Sequence, residues 1–285
     1  MQFLRHFLLA VQFFTRIPIT GKLANWVGFS PAMLRASAAH FPAVGLLIGV
    51  VAAAVYGLLI ALLPSGAYSP LIAAVLSTTA TVLMTGAFHE DGLADLADGL
   101  GGSYDKARAL EIMKDSRVGA YGAMALVLAL LCKVALLGLL GSAEITLPAL
   151  DNESLDASLE APFDGWLVAA ALFAAHVVSR GLPLLLIRVL PHVGDAAGSK
   201  SKPLADQITL PSLLAAWIWV FLALALASIA LPAITLIAAC SFAVVALLWM
   251  GRLFTRRLQG FTGDCLGATQ QVCEIAFYLG LAVSL

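Results

Sequence analysis

The stretch from residue 37 to residue 63 reads SAAHFPAVGLLIGVVAAAVYGLLIALL and contains no Asp, Glu, Lys or Arg. A helix needs about 20 apolar residues to cross the hydrocarbon core of a bilayer, and this stretch exceeds that length. Six further segments approach or exceed the same length. We therefore predict an all-α, polytopic membrane bundle of about seven transmembrane helices, at residues 37–63, 70–88, 119–141, 166–189, 211–230, 231–250 and 266–285.

The composition excludes an ordinary soluble protein. The chain is 61% hydrophobic and 12% charged, with a mean hydropathy of +0.97, whereas a soluble domain is about half apolar and a quarter charged. The net charge of −1 and the lack of an aromatic and basic stripe argue against a nucleic-acid partner. Since we find no internal repeat and no soluble region, residues 1–285 are predicted to form one integral-membrane domain, with the bilayer as a partner.

Basic residues are confined to one set of loops. Fourteen of the 16 Lys and Arg residues fall in regions 5–35, 106–117, 188–202 and 252–257. The alternate loops at 64–69 and 142–165 hold none, and 142–165 holds six acids. Because Lys and Arg accumulate in cytoplasmic loops, we predict a cytoplasmic N-terminus and an acidic extracytoplasmic loop at 142–165.

An acidic cluster interrupts the apolar sequence at residues 86–102, which read GAFHEDGLADLADGLGG. Asp91, Asp95 and Asp98 are spaced i, i+4 and i+7, so on a helix they fall within roughly 60° of one another. Three carboxylates on one face repel one another unless a cation lies between them. Mg²⁺ prefers such oxygen ligands and is usually held by one or two carboxylates together with substrate phosphates. The pattern indicates a metal-dependent diphosphate site.

Basic residues follow the cluster closely in sequence. Lys114 and Arg117 flank Asp115 within a segment, residues 89–118, that we expect to form a cytoplasmic active-site loop or helix. Phosphoryl transfer needs a metal ion to neutralise phosphate oxygens and basic groups to hold the leaving phosphate. An ordinary solvated loop with helix-capping acids is the alternative interpretation.

Further polar residues lie outside this segment. Asp264 begins the last predicted span, where it could cap the helix, bind metal or contact substrate. Arg16 could mark topology or clamp a phosphate. Ionisable side chains are energetically unfavourable in lipid and usually face the bundle interior. We therefore expect the four such residues within spans to face the interior: Lys133, His176, Arg180 and Glu274. An ion pair of Glu274 with Lys133 or Arg180 is the structural interpretation of these residues.

Four motifs then resemble one known family. They are QFFTRIP at 12–18, HEDGLADLADG at 89–99, MKDSRVG at 113–119 and TGDCLGA at 262–268. Their residues and order are similar to those of the cobalamin synthase (CobS) family, and the resemblance extends from residue 3 to the C-terminus.

The resemblance implies a reaction and a set of site residues. Members of the family join adenosylcobinamide-GDP to α-ribazole, or to its 5′-phosphate, and release GMP in the cytoplasmic membrane of prokaryotes. It implies Mg²⁺ as the cofactor, bound by Asp91, Asp95 and Asp98. Lys114, Asp115 and Arg117 would line the same site, with Asp115 a candidate general base, and Arg16, Arg180 and Asp264 would contact substrate. A homo-oligomer or a complex with other corrinoid-pathway enzymes is left open.

The chain departs from the family pattern at three places. Glu90 stands where an apolar residue is expected and adds an acid beside the cluster. The segment 191–194 lacks an expected arginine, and the loop at 142–165 is longer and more acidic than expected. None of these departures touches Asp91, Asp95 or Asp98.

Three other functions compete with this assignment. A CDP-alcohol phosphotransferase should carry an Asp-Gly-x-x-Ala-Arg run, and the stretch that begins at Asp91-Gly92 here has no such arginine. A prenyl-diphosphate transferase usually has two Asp-rich motifs, and only one is evident. A secondary transporter, with charged residues along its path, often shows repeated halves, which this sequence lacks.

Overall fold

The computed structural model describes residues 1–151, 165–194 and 208–285, and all of the secondary structure within them is helical apart from one isolated bridge between His192 and Phe261. A 3₁₀ turn at Ala38–His40 joins the third and fourth helices. The helices are α1 Gln2–Phe14, α2 Gly21–Val27, α3 Pro31–Ser37, α4 Phe41–Leu62, α5 Ser69–Thr85, α6 Phe88–Gly102, α7 Lys106–Ile112, α8 Ala120–Asp151, α9 Trp166–Gly181, α10 Pro183–Val189, α11 Leu210–Ala227, α12 Ala233–Arg257 and α13 Gly263–Val283.

The predicted all-α, multi-pass architecture is confirmed. Six helical segments within the described residues are long and apolar enough to cross a bilayer, and a seventh is counted only if the bent pair α5–α6 is taken as one span. The predicted division near residue 231 is also confirmed, because α11 ends at Ala227 and α12 begins at Ala233. The acidic segment predicted as a loop at 142–165 begins later than expected, since α8 extends to Asp151. Residues 152–164 lie outside the described part.

The helix pair α9–α10 lies at the centre of the bundle. In this pair, 83% of the apolar 18-residue stretch is buried in the protein. In Ala120–Ala143 of α8, only 22% of the corresponding stretch is buried. α4 crosses α9 where Gly45 and Gly49 face the backbone of His176 and Phe173, and a Cβ atom at either glycine would collide with that backbone. Small residues at such a crossing let two membrane helices approach closely. The crossing therefore holds the polar residues of α9 in the protein interior.

The predicted span at 70–88 stops short of its expected end. α5 ends at Thr85, and Gly86 and Ala87 adopt left-handed backbone conformations with φ values of 66° and 59°. These two residues turn the chain by 88° into α6. Since α6 runs nearly at right angles to α5, it does not continue the crossing. The acidic cluster thus lies on a helix that packs across the bundle, mainly against α13 and α8.

The start of α13 is fixed by a short backbone pairing. The N–H of Phe261 donates to the carbonyl of Pro191 at 3.0 Å, and the N–H of Val193 donates to the carbonyl of Phe261 at 2.9 Å. Thr262 then caps the helix, accepting the N–H of Cys265 at 3.4 Å. The segment 191–194, which lacks the arginine expected there, therefore positions the first turn of α13.

Candidate active site

The backbones of α6 and α13 meet beside the acidic cluster. A Cβ atom on Gly92 would lie 3.0 Å from the carbonyl oxygen of Asp264, and one on Gly267 would lie 3.4 Å from the Cα atom of His89. Because neither glycine has a Cβ, the first turn of α13 lies directly against α6. Asp264 therefore joins the acids of α6, while Thr262 provides the cap of the helix.

The acids of α6 differ in their exposure. Asp91 is exposed, Asp95 is half-buried and Asp98 is buried. Burial first, and then the negative charges of Asp264, Asp91 and Asp98, raise the pKa of Asp95 to about 7. The three neighbouring negative charges disfavour the ionised form of Asp95. A bound cation would offset this repulsion, so the arrangement fits a cation-binding site.

Asp98 has backbone partners that the sequence did not reveal. Its two carboxylate oxygens accept the N–H of Gly119 at 2.7 Å and the N–H of Gly122 at 2.8 Å. These amides belong to the start of α8, where a negative charge is favoured. A Cβ atom on either glycine would collide with the carboxylate. Asp98 therefore ties the start of α8 to α6, and the role of metal ligand that the resemblance implied stays a prediction.

Replacing Asp98 with Asn is expected to lower stability by about 1–3 kcal/mol, because one buried amide loses its acceptor. Activity should fall with the displacement of α8, while the Mg²⁺ concentration giving half-maximal activity should stay unchanged. Thermal unfolding in detergent and a Mg²⁺ titration of activity measure the two effects. A large rise in the required Mg²⁺ with unchanged stability would instead make Asp98 a metal ligand.

The basic segment forms the wall of an open cleft. Lys114, Asp115 and Arg117 line it together with Asp98 and Tyr121, and its volume is about 780 Å³. That volume lies within the range of about 300–1,000 Å³ found for small-molecule sites. Because Asp98 also belongs to the acidic helix, the cleft adjoins the cluster. The structure thus brings the segment 114–117 to Asp98, whereas Asp91, Asp95 and Asp264 do not line this cleft.

Asp115 and Arg117 are paired with each other. The Nε–H of Arg117 donates to the Oδ1 atom of Asp115 at 3.0 Å, and its backbone N–H donates to the same oxygen at 3.1 Å. These hydrogen bonds lower the pKa of Asp115 to about 2. So low a pKa makes Asp115 a weaker proton acceptor than a general base requires near neutral pH.

Arg16 lies at the corner between α5 and α6. Its backbone N–H donates to the carbonyl of Met84 at 2.7 Å, and its guanidinium covers Gly86, where no Cβ atom would fit. The side chain is exposed. The structure therefore places Arg16 beside the turn that leads into the acidic helix, in a position that also supports that turn.

A buried polar network extends from this region into the bundle. The Nζ atom of Lys133 lies 2.6 Å from Oε1 of Glu274, and Nδ1 of His176 lies 3.4 Å from Oε2. Gln270 and Tyr278 donate to the same carboxylate at 2.6 and 3.2 Å. The predicted ion pair of Glu274 is confirmed with Lys133 as its partner. Arg180 instead donates to the carbonyl of His176 at 3.0 Å.

The network reaches α6 through residues that the sequence analysis missed. Gln271 donates to Oε1 of Glu90 at 3.0 Å and to Oε1 of Gln270, also at 3.0 Å. Glu90 therefore takes part in an internal hydrogen bond and does not act as a further acid of the exposed cluster. The sequence feature that could have indicated this network is the pair of adjacent glutamines, Gln270 and Gln271, within an apolar span. Buried side-chain amides need hydrogen-bond partners.

Together, the fold and site define a class of protein: a polytopic helical membrane protein whose acidic helix contributes Asp98 to a charged cleft of ligand size. Its particular family follows from comparison with known proteins. The chain belongs to the CobS family, described as cobalamin-5-phosphate synthase, whose family model matches residues 6–282.

Relatives match over nearly the whole chain. A protein of Polaromonas sp. strain JS666 is 70% identical over 284 residues, covering 100% of this chain and 98% of its own length. A protein of Polaromonas naphthalenivorans is 68% identical, covering 100% of both chains, and one of Vibrio cholerae is 39% identical, covering 96% of this chain and 91% of its own. All three are named adenosylcobinamide-GDP ribazoletransferase. No solved structure matches this chain.

Proposed function

We propose that this protein transfers the adenosylcobinamide phosphate of adenosylcobinamide-GDP to α-ribazole, or to α-ribazole 5′-phosphate, with release of GMP. The observation that carries the proposal is the match to relatives of that name over the full chain, at up to 70% identity. The carboxylates of the acidic helix, and the basic side chains of the cleft that shares Asp98 with it, would supply the chemistry that a diphosphate substrate requires. We expect adenosylcobalamin, or its 5′-phosphate, as the product.

The acidic cluster fits Mg²⁺. Among the described residues no three His, Cys, Asp or Glu side chains form a metal site by themselves. Mg²⁺ in proteins usually takes some of its ligands from substrate phosphates. Asp91, Asp95 and Asp264 would hold the ion, because burial and then the negative charges of Asp264 and Asp91 raise the pKa of Asp95. Bound Mg²⁺ would draw negative charge from the diphosphate oxygens.

The chain's own residues would orient the substrates for an in-line displacement. A ribose hydroxyl oxygen of α-ribazole would form a bond to the phosphorus that carries the cobinamide arm, the bond from that phosphorus to the GMP oxygen would break, and the hydroxyl proton would pass to solvent in the open cleft. Lys114 and Arg117, which line the cleft, would offset the charge that develops on departing GMP. Because Asp115 holds Arg117 in place through two hydrogen bonds, its role would be to position this arginine.

The distribution of charge supports a location. The cleft residues Lys114 and Arg117 lie in one of the Lys- and Arg-rich loops, and such loops face the cytoplasm in multi-pass proteins. We therefore place the site on the cytoplasmic side of the inner membrane of a prokaryote. Adenosylcobinamide-GDP is a large polar molecule, so a site open to the cytoplasm would receive it without membrane transport.

The direct test uses protein purified in detergent, incubated with adenosylcobinamide-GDP and α-ribazole, and followed by mass spectrometry. We expect a corrinoid product and an equal amount of GMP, both lost when EDTA removes divalent ions and restored by Mg²⁺. Folded protein that leaves both substrates intact would overturn the proposal. Turnover of CDP-alcohols or prenyl diphosphates would then indicate another diphosphate transferase, and solute counterflow in proteoliposomes would indicate a transporter.

A further inference from the structure

An aromatic pocket lies between α1, α4, α6, the end of α9, α10 and the first half of α13. Four phenylalanines line it, namely Phe13, Phe14, Phe41 and Phe88. The ring of Phe14 packs edge-on against that of Phe41, with centroids 4.0 Å apart, and against that of Phe88, with centroids 5.4 Å apart. Such walls suit a flat aromatic ligand, which can stack on one ring and meet the edge of another.

Three buried polar side chains, those of Arg180, His89 and Gln270, interrupt this apolar lining. Arg180 is 6% exposed and His89 is 5% exposed, and both line the pocket. The Nε atom of Arg180 and the Nδ1 atom of His89 have no hydrogen-bond partner. Since buried polar groups in proteins nearly always have partners, these two atoms indicate a ligand that carries few polar groups of its own.

The pocket adjoins the acidic cluster. Gly263 and Gly267 line it, and they flank Asp264 in the first turns of α13. His89 also lines it and lies two residues before Asp91. A ligand whose aromatic end fills the pocket would therefore extend its other end toward the carboxylates.

We infer that this pocket binds the benzimidazole base of the nucleoside acceptor; the inference rests on the proposed function. Once its first ring nitrogen is bonded to ribose, this base keeps a single lone-pair nitrogen, which can accept the N–H of Arg180. Guanine carries several donors and acceptors, more than the two unpartnered atoms of this pocket can satisfy, so its burial here would be disfavoured. The geometry leaves the ribose of the acceptor beside the acids that hold the diphosphate.

Phe88 forms the exposed rim of the pocket, since its side chain is 38% exposed. The pocket volume is about 50 Å³, less than a benzimidazole occupies, so binding of the base would require this ring to be displaced outward. Phe88 then covers one face of the bound base. A variant at this position tests contact with the base without disturbing the buried polar residues.

The test compares Phe88→Ala with Phe242→Ala in steady-state kinetics. Phe242 is 37% exposed and lies on α12, so it matches Phe88 in residue type and burial and does not line the pocket. Loss of one aromatic contact should raise KM for α-ribazole about tenfold in Phe88→Ala. KM for adenosylcobinamide-GDP should stay unchanged, and Phe242→Ala should resemble the wild type. An unchanged KM for α-ribazole in folded Phe88→Ala would overturn the inference.

A second measurement uses the wild-type chain and needs no variant. Free 5,6-dimethylbenzimidazole should inhibit competitively against α-ribazole and noncompetitively against adenosylcobinamide-GDP. Absence of inhibition, or competition with adenosylcobinamide-GDP alone, would contradict the pocket assignment while leaving the proposed function intact. If wild-type protein forms no corrinoid product at all, the proposed function itself fails, and equilibrium dialysis with the labelled base then shows whether the pocket binds it.

Discussion

Replacing Asp95 with Asn is expected to lower kcat about 10³-fold, with the protein still folded. Asp95 lies between the other acids of the cluster, and burial together with Asp264 and Asp91 raises its pKa to about 7. Asn has nearly the same shape but carries no charge, so the variant removes affinity for a cation and also relieves repulsion among the remaining acids. Activity should therefore fall while thermal stability in detergent stays the same or rises.

The matched control is Asp105→Asn. Asp105 is exposed and caps α7, where its side chain accepts the N–H of Arg108 at 2.8 Å, and Asn caps a helix as well as Asp does. Both variants remove one carboxylate from the same part of the chain, but only Asp95 belongs to the cluster. Kinetics at several Mg²⁺ concentrations measure the effect. Wild-type turnover in Asp95→Asn would rule out the proposed metal site.

The local pattern of the sequence predicted the acidic helix well. The i, i+4, i+7 spacing of Asp91, Asp95 and Asp98 predicted one helix with these carboxylates on a common face, and α6 covers all three. The spacing could not predict that Asp98 would accept two amides from the start of α8. Gly119 and Gly122 lie more than 20 residues away, and their contact with Asp98 depends on how two helices pack.

The boundaries of the apolar segments predicted most helices, but hydropathy did not detect the corner at Gly86. Hydropathy averages over a window, whereas the 88° turn depends on two residues with positive φ. Gly92 and Gly267 were visible as glycines, yet only the packed structure shows that they let α6 touch α13. Asp264 therefore remained ambiguous in sequence, since its nearness to Asp95 arises from this contact.

Glu274→Gln is expected to destabilise the protein by about 3 kcal/mol, the second large effect that the structure predicts. The variant keeps an oxygen that can accept from Tyr278 but leaves the charge of Lys133 without its partner. Lys133 is 2% exposed, so water cannot replace the lost carboxylate. Thermal unfolding in detergent, monitored as loss of the monodisperse peak, should show an unfolding temperature several degrees below that of the wild type.

Glu111→Gln provides the control for that change. Glu111 pairs with Arg108 at 2.7 Å, close to the 2.6 Å of the buried pair, but its side chain is 68% exposed. Exposed ion pairs contribute about 0–1 kcal/mol, so this variant should unfold near the wild-type temperature. Equal losses of stability in Glu111→Gln and Glu274→Gln would show that burial of the Lys133–Glu274 pair does not matter.

The double variant Lys133→Met with Glu274→Gln separates charge from packing. It removes both buried charges and keeps a side chain of similar length at each position. If the unpaired lysine charge causes the loss in Glu274→Gln, the double variant should be more stable than that single variant. If it is less stable, then the side chains act through shape and hydrogen bonding alone. A double variant that is more stable than Glu274→Gln would mean that each buried charge is needed only because the other is present. Uncharged side chains could then replace the pair.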